Sequence, residues 1–87
     1  MKAKFSRTFG KQYAKAPSKI KSAFNKRLEQ FLRNQFHPLL NNHALIGKYF
    51  GCRSINISGD WRAIFREISS GIAYFEVLGT HSQLYRK

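Results

Sequence analysis

Residues 53–78 read RSINISGDWRAIFREISSGIAYFEVL, and this stretch decides the fold. Three runs, Arg53 to Ile57, Trp61 to Ile68 and Ile72 to Leu78, are rich in β-branched and aromatic residues. Ser58-Gly59-Asp60 and Ser69-Ser70-Gly71 separate them, with the length and chemistry of hairpin turns. An antiparallel three-stranded meander is predicted. Side chains alternate across a strand, so Ile55 and Ile57 oppose Ser54 and Asn56, and Trp61, Ala63 and Phe65 oppose Arg62, Ile64 and Arg66. The sheet should therefore have one apolar face and one polar, cationic face.

An apolar sheet face needs a cover, and the residues before it supply one. Lys2-Ala3-Lys4-Phe5 suits a short N-terminal edge strand whose lysines discourage unwanted pairing. Ser6 is placed to cap a short helix with Phe9 and Tyr13 four apart on one face, although Gly10 weakens it. Pro17 suits the first turn of a longer helix, running from 17 to about 35. There Ile20, Phe24, Leu28, Phe31 and Leu32 form an apolar stripe, and Lys19, Lys21, Lys26, Arg27 and Arg33 take the other positions. Such a helix can also lie on an anionic membrane, but the sheet's need for a cover favours packing. His37-Pro38 ends the helix, and residues 37–51 are expected to form a polar loop. The expectation is an α+β fold, β-α-α-β-β-β, with two helices on a small antiparallel sheet and one domain over residues 1–87.

Eighty-seven residues leave room for one core only. Hydrophobic residues at 43% are enough to close that core without crosslinks, which argues against disorder. Sixteen Lys and Arg against four Asp and Glu give a net charge of +12, so polyanions are the expected partners. The charge is uneven: Glu29 alone opposes the basic residues of positions 1–43. No stretch approaches the ~20 apolar residues a membrane span requires, and Met1 leads into charged sequence without a secretory h-region. The lone Cys52 has no internal disulfide partner, so a reducing cytoplasm is the expected compartment.

Three polar clusters should meet near the cationic face, which makes it a candidate RNA platform. They are Asn42-His43, Asp60-Trp61-Arg62, and Gly79-Thr80-His81 with Tyr85. RNA is cut without a metal when its 2′-hydroxyl is deprotonated, attacks the adjacent phosphorus in line, and the departing 5′-oxygen is protonated. That reaction needs an acid, a base and a cation. Histidine suits the first two roles because its reference pKa of about 6.5 populates both protonation states near neutrality. Arg62 suits the third, since a guanidinium stays charged and can pair with two phosphate oxygens. His37, His43 and His81 lack metal-ligand spacing, the acidic residues do not cluster, and no phosphate-binding glycine loop occurs. No metal and no cofactor is expected.

The runs from Asn42 to Lys48, Gly51 to Phe65 and Gly79 to Tyr85 resemble RelE-type toxins of bacterial toxin–antitoxin systems, in particular their YafQ branch. About half the chain matches in detail, and the order of elements extends the match over nearly all of it. The resemblance implies a RelE-like fold with its active site on the polar face. It also implies a ribonuclease that enters the ribosomal A site, cleaves messenger RNA there and is silenced by a cognate antitoxin. Position by position, it assigns His43, Asp60 and His81 to the acid/base set with Trp61 beside them, Tyr85 to an aromatic or catalytic tyrosine, and Arg62 to the scissile phosphate. Two positions depart from the pattern: Asn56 stands where the branch has a histidine, and Val77 where it has an arginine. Lys48 or Arg66 would then assist Arg62, and Lys48, Asn56, Trp61 and Arg66 are candidate RNA contacts.

Each residue also has a plainer reading. His81 could end a strand, His43 sit solvated in a loop, Asp60 shape its hairpin, Trp61 pack, and Tyr85 anchor the C-terminal segment. The leading expectation is metal-independent cleavage of messenger RNA on the ribosome, with His81 as acid and His43 or Asp60 as base. The free toxin would be a monomer that joins a larger assembly with its antitoxin, without membrane contact. The alternatives are a ParE-like toxin that binds DNA gyrase without cutting RNA, and a non-catalytic RNA-binding domain.

Overall fold

The computed structural model describes residues 1–85, so the last two positions of the expected 1–87 domain lie outside it. Strand β1 (Lys2–Phe5) leads into helices α1 (Arg7–Lys15) and α2 (Ser18–Arg33). Two single-turn 3-10 helices, Pro38–Leu40 and Gly47–Tyr49, flank a two-residue strand β2 (His43–Ala44). The meander β3 (Arg53–Ser58), β4 (Trp61–Ser69) and β5 (Ile72–Thr80) follows, and a short helix α3 (His81–Leu84) ends the order. Among the described residues no helix is long and apolar enough to cross a membrane.

The α+β class and the strand, helix, helix, meander order are as expected. The sheet is mixed, however, with strand order β1-β5-β4-β3-β2. β1 runs parallel to β5, with Lys2 opposite Ile72 and Phe5 opposite Phe75. A parallel pair requires a long crossover; here it comes by way of both helices and the rest of the sheet. The expected polar loop at 37–51 is more ordered than predicted. Leu40 is wholly buried, and His43 and Ala44 pair with Ser54 and Arg53, closing the sheet's far edge.

Local chemistry sets the helix starts. Ser6 caps α1 by accepting from the Phe9 N–H at 2.9 Å, while its own hydroxyl donates to the Glu76 carbonyl at 2.6 Å. One side chain thus starts the helix and fastens it to β5. β1 ends at Phe5, and Gln12 takes over along β5, its Oε1 accepting from the Leu78 N–H at 2.7 Å. Pro17 stands just before α2 rather than inside its first turn, with extended ψ of 147°. Its carbonyl accepts from Ile20 and Lys21.

Both helices cover one face of the sheet. Phe9, Ile20, Phe24 and Phe31 from the helices meet Ile55, Ile57, Ala63, Phe65, Ala73, Phe75 and Leu78 from the strands. Phe75 is fully buried, and its ring lies 5.3–5.9 Å from the rings of Phe5, Phe9, Phe24, Phe31 and Phe65. Just beyond it the β4–β5 register steps from Phe65 opposite Phe75 to Ile64 opposite Val77. Glu76 is the extra residue of a β-bulge, which returns Leu78 to the core.

Phe75→Ala should cost about 3–5 kcal/mol of unfolding free energy in urea titration, and Phe75→Leu distinctly less. A loss below about 1 kcal/mol for the alanine variant would remove Phe75 from the centre of the packing.

Candidate active site

The second sheet face is not the open polar platform that alternation alone predicts. Ser54 and Ile64 are buried on it, and a second apolar cluster of Leu45, Ile64 and Leu84 forms there with Tyr49, Cys52, Val77 and Tyr85. The cause is α3, which turns back at the end of β5, together with the β2–β3 connection. Gly79 permits that turn, because a Cβ there would lie 3.0 Å from Gln83 Oε1 and 3.2 Å from Leu84 Cδ2. Thr80 and Gln83 form a reciprocal capping box, with Thr80 Oγ1 accepting from the Gln83 N–H and Gln83 Oε1 from the Thr80 N–H. The polar surface that remains is a shelf along one end of the sheet.

Arg62 stands in the row Asn56, Arg62, Gly79 across β3, β4 and β5. Its Nη1 donates to the carbonyls of Gly59 at 2.8 Å and Trp61 at 3.0 Å, bending the guanidinium over the β3–β4 turn. In the same turn the Asp60 carbonyl accepts from the His81 N–H at 2.7 Å. That bond fixes where α3 begins, and so where His81 stands relative to Arg62. The Asp60 carboxylate is on the exposed side of the turn.

His81 and Tyr85 fall one helical turn apart, and their rings meet at 4.6 Å. Tyr49 packs edge-on against Tyr85 at 5.6 Å, and its hydroxyl donates to the Leu84 carbonyl at 3.1 Å. The Lys48 ammonium reaches that carbonyl at 3.5 Å and lies over the Tyr49 ring. Burial pushes the Tyr85 phenol above its ordinary value; Tyr49 adds to the rise and Arg62 opposes it. The phenol is therefore a proton-bearing group within electrostatic reach of the guanidinium.

His43 occupies the edge strand β2, in the row His43, Ser54, Ile64, Val77. Its Nδ1 lies 2.8 Å from the Asn41 carbonyl. A carbonyl only accepts, so Nδ1 carries a hydrogen, and Nε2 is the ring nitrogen left free of that contact. β2 and β5 are separated by three strand spacings of about 4.8 Å each, so the sheet does not bring His43 beside the β5 end from which His81 follows; β4, the strand of Arg62, lies between them in the strand order.

The remaining candidates divide. Asn56 faces the site beside Arg62, and its Oδ1 is buried without a partner among the described residues, as is Ser54 Oγ. Val77 is spent on the second cluster. Arg66 shares Arg62's face but is paired with Glu76 and lies over Tyr74, so Lys48 is the freer second cation. Trp61 points to the helix side, packing on the main core and lining a cleft with Gln12, Lys15 and Gln83. Among the described residues no three His, Cys, Asp or Glu side chains are placed to hold a metal ion. The sequence reading missed Tyr49, which carries Tyr85; the signal was an aromatic four residues after Leu45 in a segment read as polar loop.

A family model described as "Bacterial toxin of type II toxin-antitoxin system, YafQ" matches residues 1–86. Among solved structures, YafQ from E. coli is similar at 24% identity, covering 95% of this chain and 96% of that one, with a TM-score of 0.75. A YoeB/ParE toxin from Agrobacterium tumefaciens is 20% identical over 93% of this chain and 99% of its own, with a TM-score of 0.77. The E. coli DinJ-YafQ toxin-antitoxin complex gives 25% identity, coverage of 95% and 94%, and a TM-score of 0.72. No curated protein sequence matches.

Burial also raises the Cys52 thiol above its ordinary 9.0, with Glu76 adding to the rise, as Tyr85 is raised above 10.0. For both groups the stabilisation is complete below the ordinary value and is lost as pH climbs through the raised one. The thermal midpoint should accordingly begin to fall as pH rises past the ordinary thiol and phenol values, and Tyr85→Phe should flatten the upper part of that fall. Parallel curves for Tyr85→Phe and the parent chain would contradict the buried phenol.

Proposed function

Because the chain belongs to the YafQ family of bacterial type II toxin–antitoxin toxins, its family match spanning residues 1–86, we propose that it is an endoribonuclease. It cuts messenger RNA on the ribosome, in the cytoplasm, by a metal-independent route. The observation that supports this reading is the strand order, in which β4 with Arg62 lies between β2 with His43 and β5, from whose end His81 follows with its N–H on the Asp60 carbonyl.

In-line transfer puts the attacking and leaving oxygens on opposite sides of phosphorus, so its base and acid must also stand apart. His43, with Nε2 free, takes the proton from the 2′-hydroxyl. The 2′-oxygen then forms its bond to phosphorus as the bond to the 5′-oxygen breaks. His81, as imidazolium, delivers a proton to that departing oxygen. Asp60 sits on the His81 side through its carbonyl contact, which makes His43 the better base of the two. Arg62 has only Nη1 engaged among the described residues. Its other N–H groups can meet the non-bridging oxygens, whose charge grows in the transition state. Lys48 adds a second positive charge from the β2–β3 turn, and Tyr85 orients the His81 ring against which it packs. The products are a 2′,3′-cyclic phosphate and a 5′-hydroxyl.

Regulation follows from the family. A cognate antitoxin covers the toxin, as DinJ and YefM are found with YafQ and YoeB in their complexes. The charge of +12 favours an acidic partner segment.

With purified chain, ribosomes and a defined messenger, His81→Ala and His43→Ala should each slow cleavage by about 10²–10⁴-fold. Arg62→Ala should slow it by a comparable factor. Fragment ends should carry the cyclic phosphate. Undiminished cutting in His81→Ala would remove that residue as the acid, and intact messenger alongside inhibited gyrase supercoiling would replace the nuclease reading altogether.

A further inference from the structure

The turn joining β2 to β3 carries two large apolar side chains that stand almost fully exposed among the described residues. Phe50 is 82% exposed and Ile46 84%. The turn is nevertheless held firmly. The Leu45 N–H donates to the Cys52 carbonyl at 3.0 Å and closes it, and the Phe50 N–H donates to the Gly47 carbonyl at 3.0 Å. Gly47 and Gly51 take φ values of 68° and 92°, which an L side chain adopts only with strain. Tyr49 is drawn inward to Tyr85 and the Leu84 carbonyl, so its neighbour Phe50 is turned out to solvent. Lys48 lies between the two apolar residues, next to α3.

We propose that the tip of this turn is a nucleobase platform. Phe50 offers a ring face on which a splayed base of single-stranded RNA stacks, Ile46 adds apolar contact, and Lys48 takes a neighbouring phosphate. The inference rests on the RNA-cleaving reading and deepens it by naming what holds the substrate beside the reacting phosphodiester. An aromatic face next to a cation is what a single strand needs, because every base has a π-face and every linkage a charge. A protein surface seated here would have to strip water from the Lys48 ammonium to reach both apolar groups, whereas a nucleotide satisfies ring and ammonium together. The Tyr49–Tyr85 and Tyr85–His81 ring contacts link the turn to α3, so the stacked base belongs to the strand that passes on the α3 side of the site.

The test separates this inference from its parent by using RNA that cannot be cut. A dye-labelled, fully 2′-O-methylated hexanucleotide is titrated with the intact chain at low salt and followed by anisotropy. Phe50→Ala should weaken binding about tenfold or more. Phe50→Trp should retain affinity, and Phe50→Leu, which keeps apolar area without a π-face, should behave like alanine. In ribosome-dependent cleavage the same loss should appear in KM rather than kcat. Equal affinity of Phe50→Ala and the parent chain, or a leucine variant as good as tryptophan, overturns the platform. So does unchanged RNA binding alongside lost capture of an acidic antitoxin segment, which would give the surface to a protein. Retained dependence on Phe50 without any cleavage by the parent chain would overturn the nuclease reading and leave the platform standing. The ring is solvent-exposed, and an unchanged thermal midpoint confirms that each variant folds.

Discussion

Phe75 is the contact on which the other layers converge. Its ring touches aromatics from β1, α1, α2 and β4, and its strand pairs with β1 on one side and β4 on the other. The next residue, Glu76, is the bulge. With strict alternation Phe75, Val77 and Gly79 would share the core face, and Leu78 would point away. The extra residue instead gives Leu78 to the core and Val77 to the opposite face. Gly79 then falls in register with Arg62, the position from which α3 folds back over the sheet. Core packing and site geometry are therefore set within the same five residues of β5, and Ser6 fastens α1 to the carbonyl of the bulged residue.

The second cluster explains how so small a protein holds a site at all. A fully polar sheet face would leave the His81 and Tyr85 side chains on a fraying C-terminal segment. Leu84 instead anchors α3 on Ile64 and Leu45, the capping box closes its first turn, and Tyr49 bonds the Leu84 carbonyl. This order has a cost below the shelf. Ser54 Oγ and Asn56 Oδ1 are buried without partners among the described residues, and a buried polar group left unpaired costs about 1–3 kcal/mol. Both atoms lie in the strand rows of the candidate site, Ser54 in the row of His43 and Asn56 in the row of Arg62.

The legible features were those carried by short-range patterns. The two hairpin turns, the α2 stripe and the Ser6 cap are written in residue types at fixed offsets, and so is the separation of Trp61 from Arg62 onto opposite faces. Pairing between β1 and β5 was hidden, because residues about seventy apart leave no periodic trace. The Glu76 bulge was hidden too, since nothing in Tyr-Phe-Glu-Val-Leu marks which residue loses its partner. Gly-Thr-His was recognised as a motif, but its physical reason lies in the atoms Gly79 would otherwise strike. The expected open cationic face failed for the same cause: alternation says which side a residue points to, and not what folds over it. His43 was placed correctly near the sheet, yet its strand and its hydrogen on Nδ1 come from contacts with Ser54 and Asn41.

Charge and chemistry are separated in this molecule. Lys11, Lys15, Lys19, Lys26 and Arg33 are exposed on the two helices, which cover the face opposite the shelf. Their field acts over the Debye length of about 8 Å at physiological salt, and diffuse phosphate contacts ask for no special geometry. The shelf works differently: its guanidinium is bent onto a turn, its phenol is pushed above its ordinary value by burial, and one imidazole is held at Nδ1 by a carbonyl. In the proposed reaction, therefore, salt governs how firmly the helices hold a polyanion, whereas pH governs what the shelf does to the strand within reach. A large RNA assembly can engage both faces at once, while a short free strand on the shelf loses the helices' contribution. Under the proposed reading, that difference is a physical reason for a large RNA assembly to be a better substrate than a short strand.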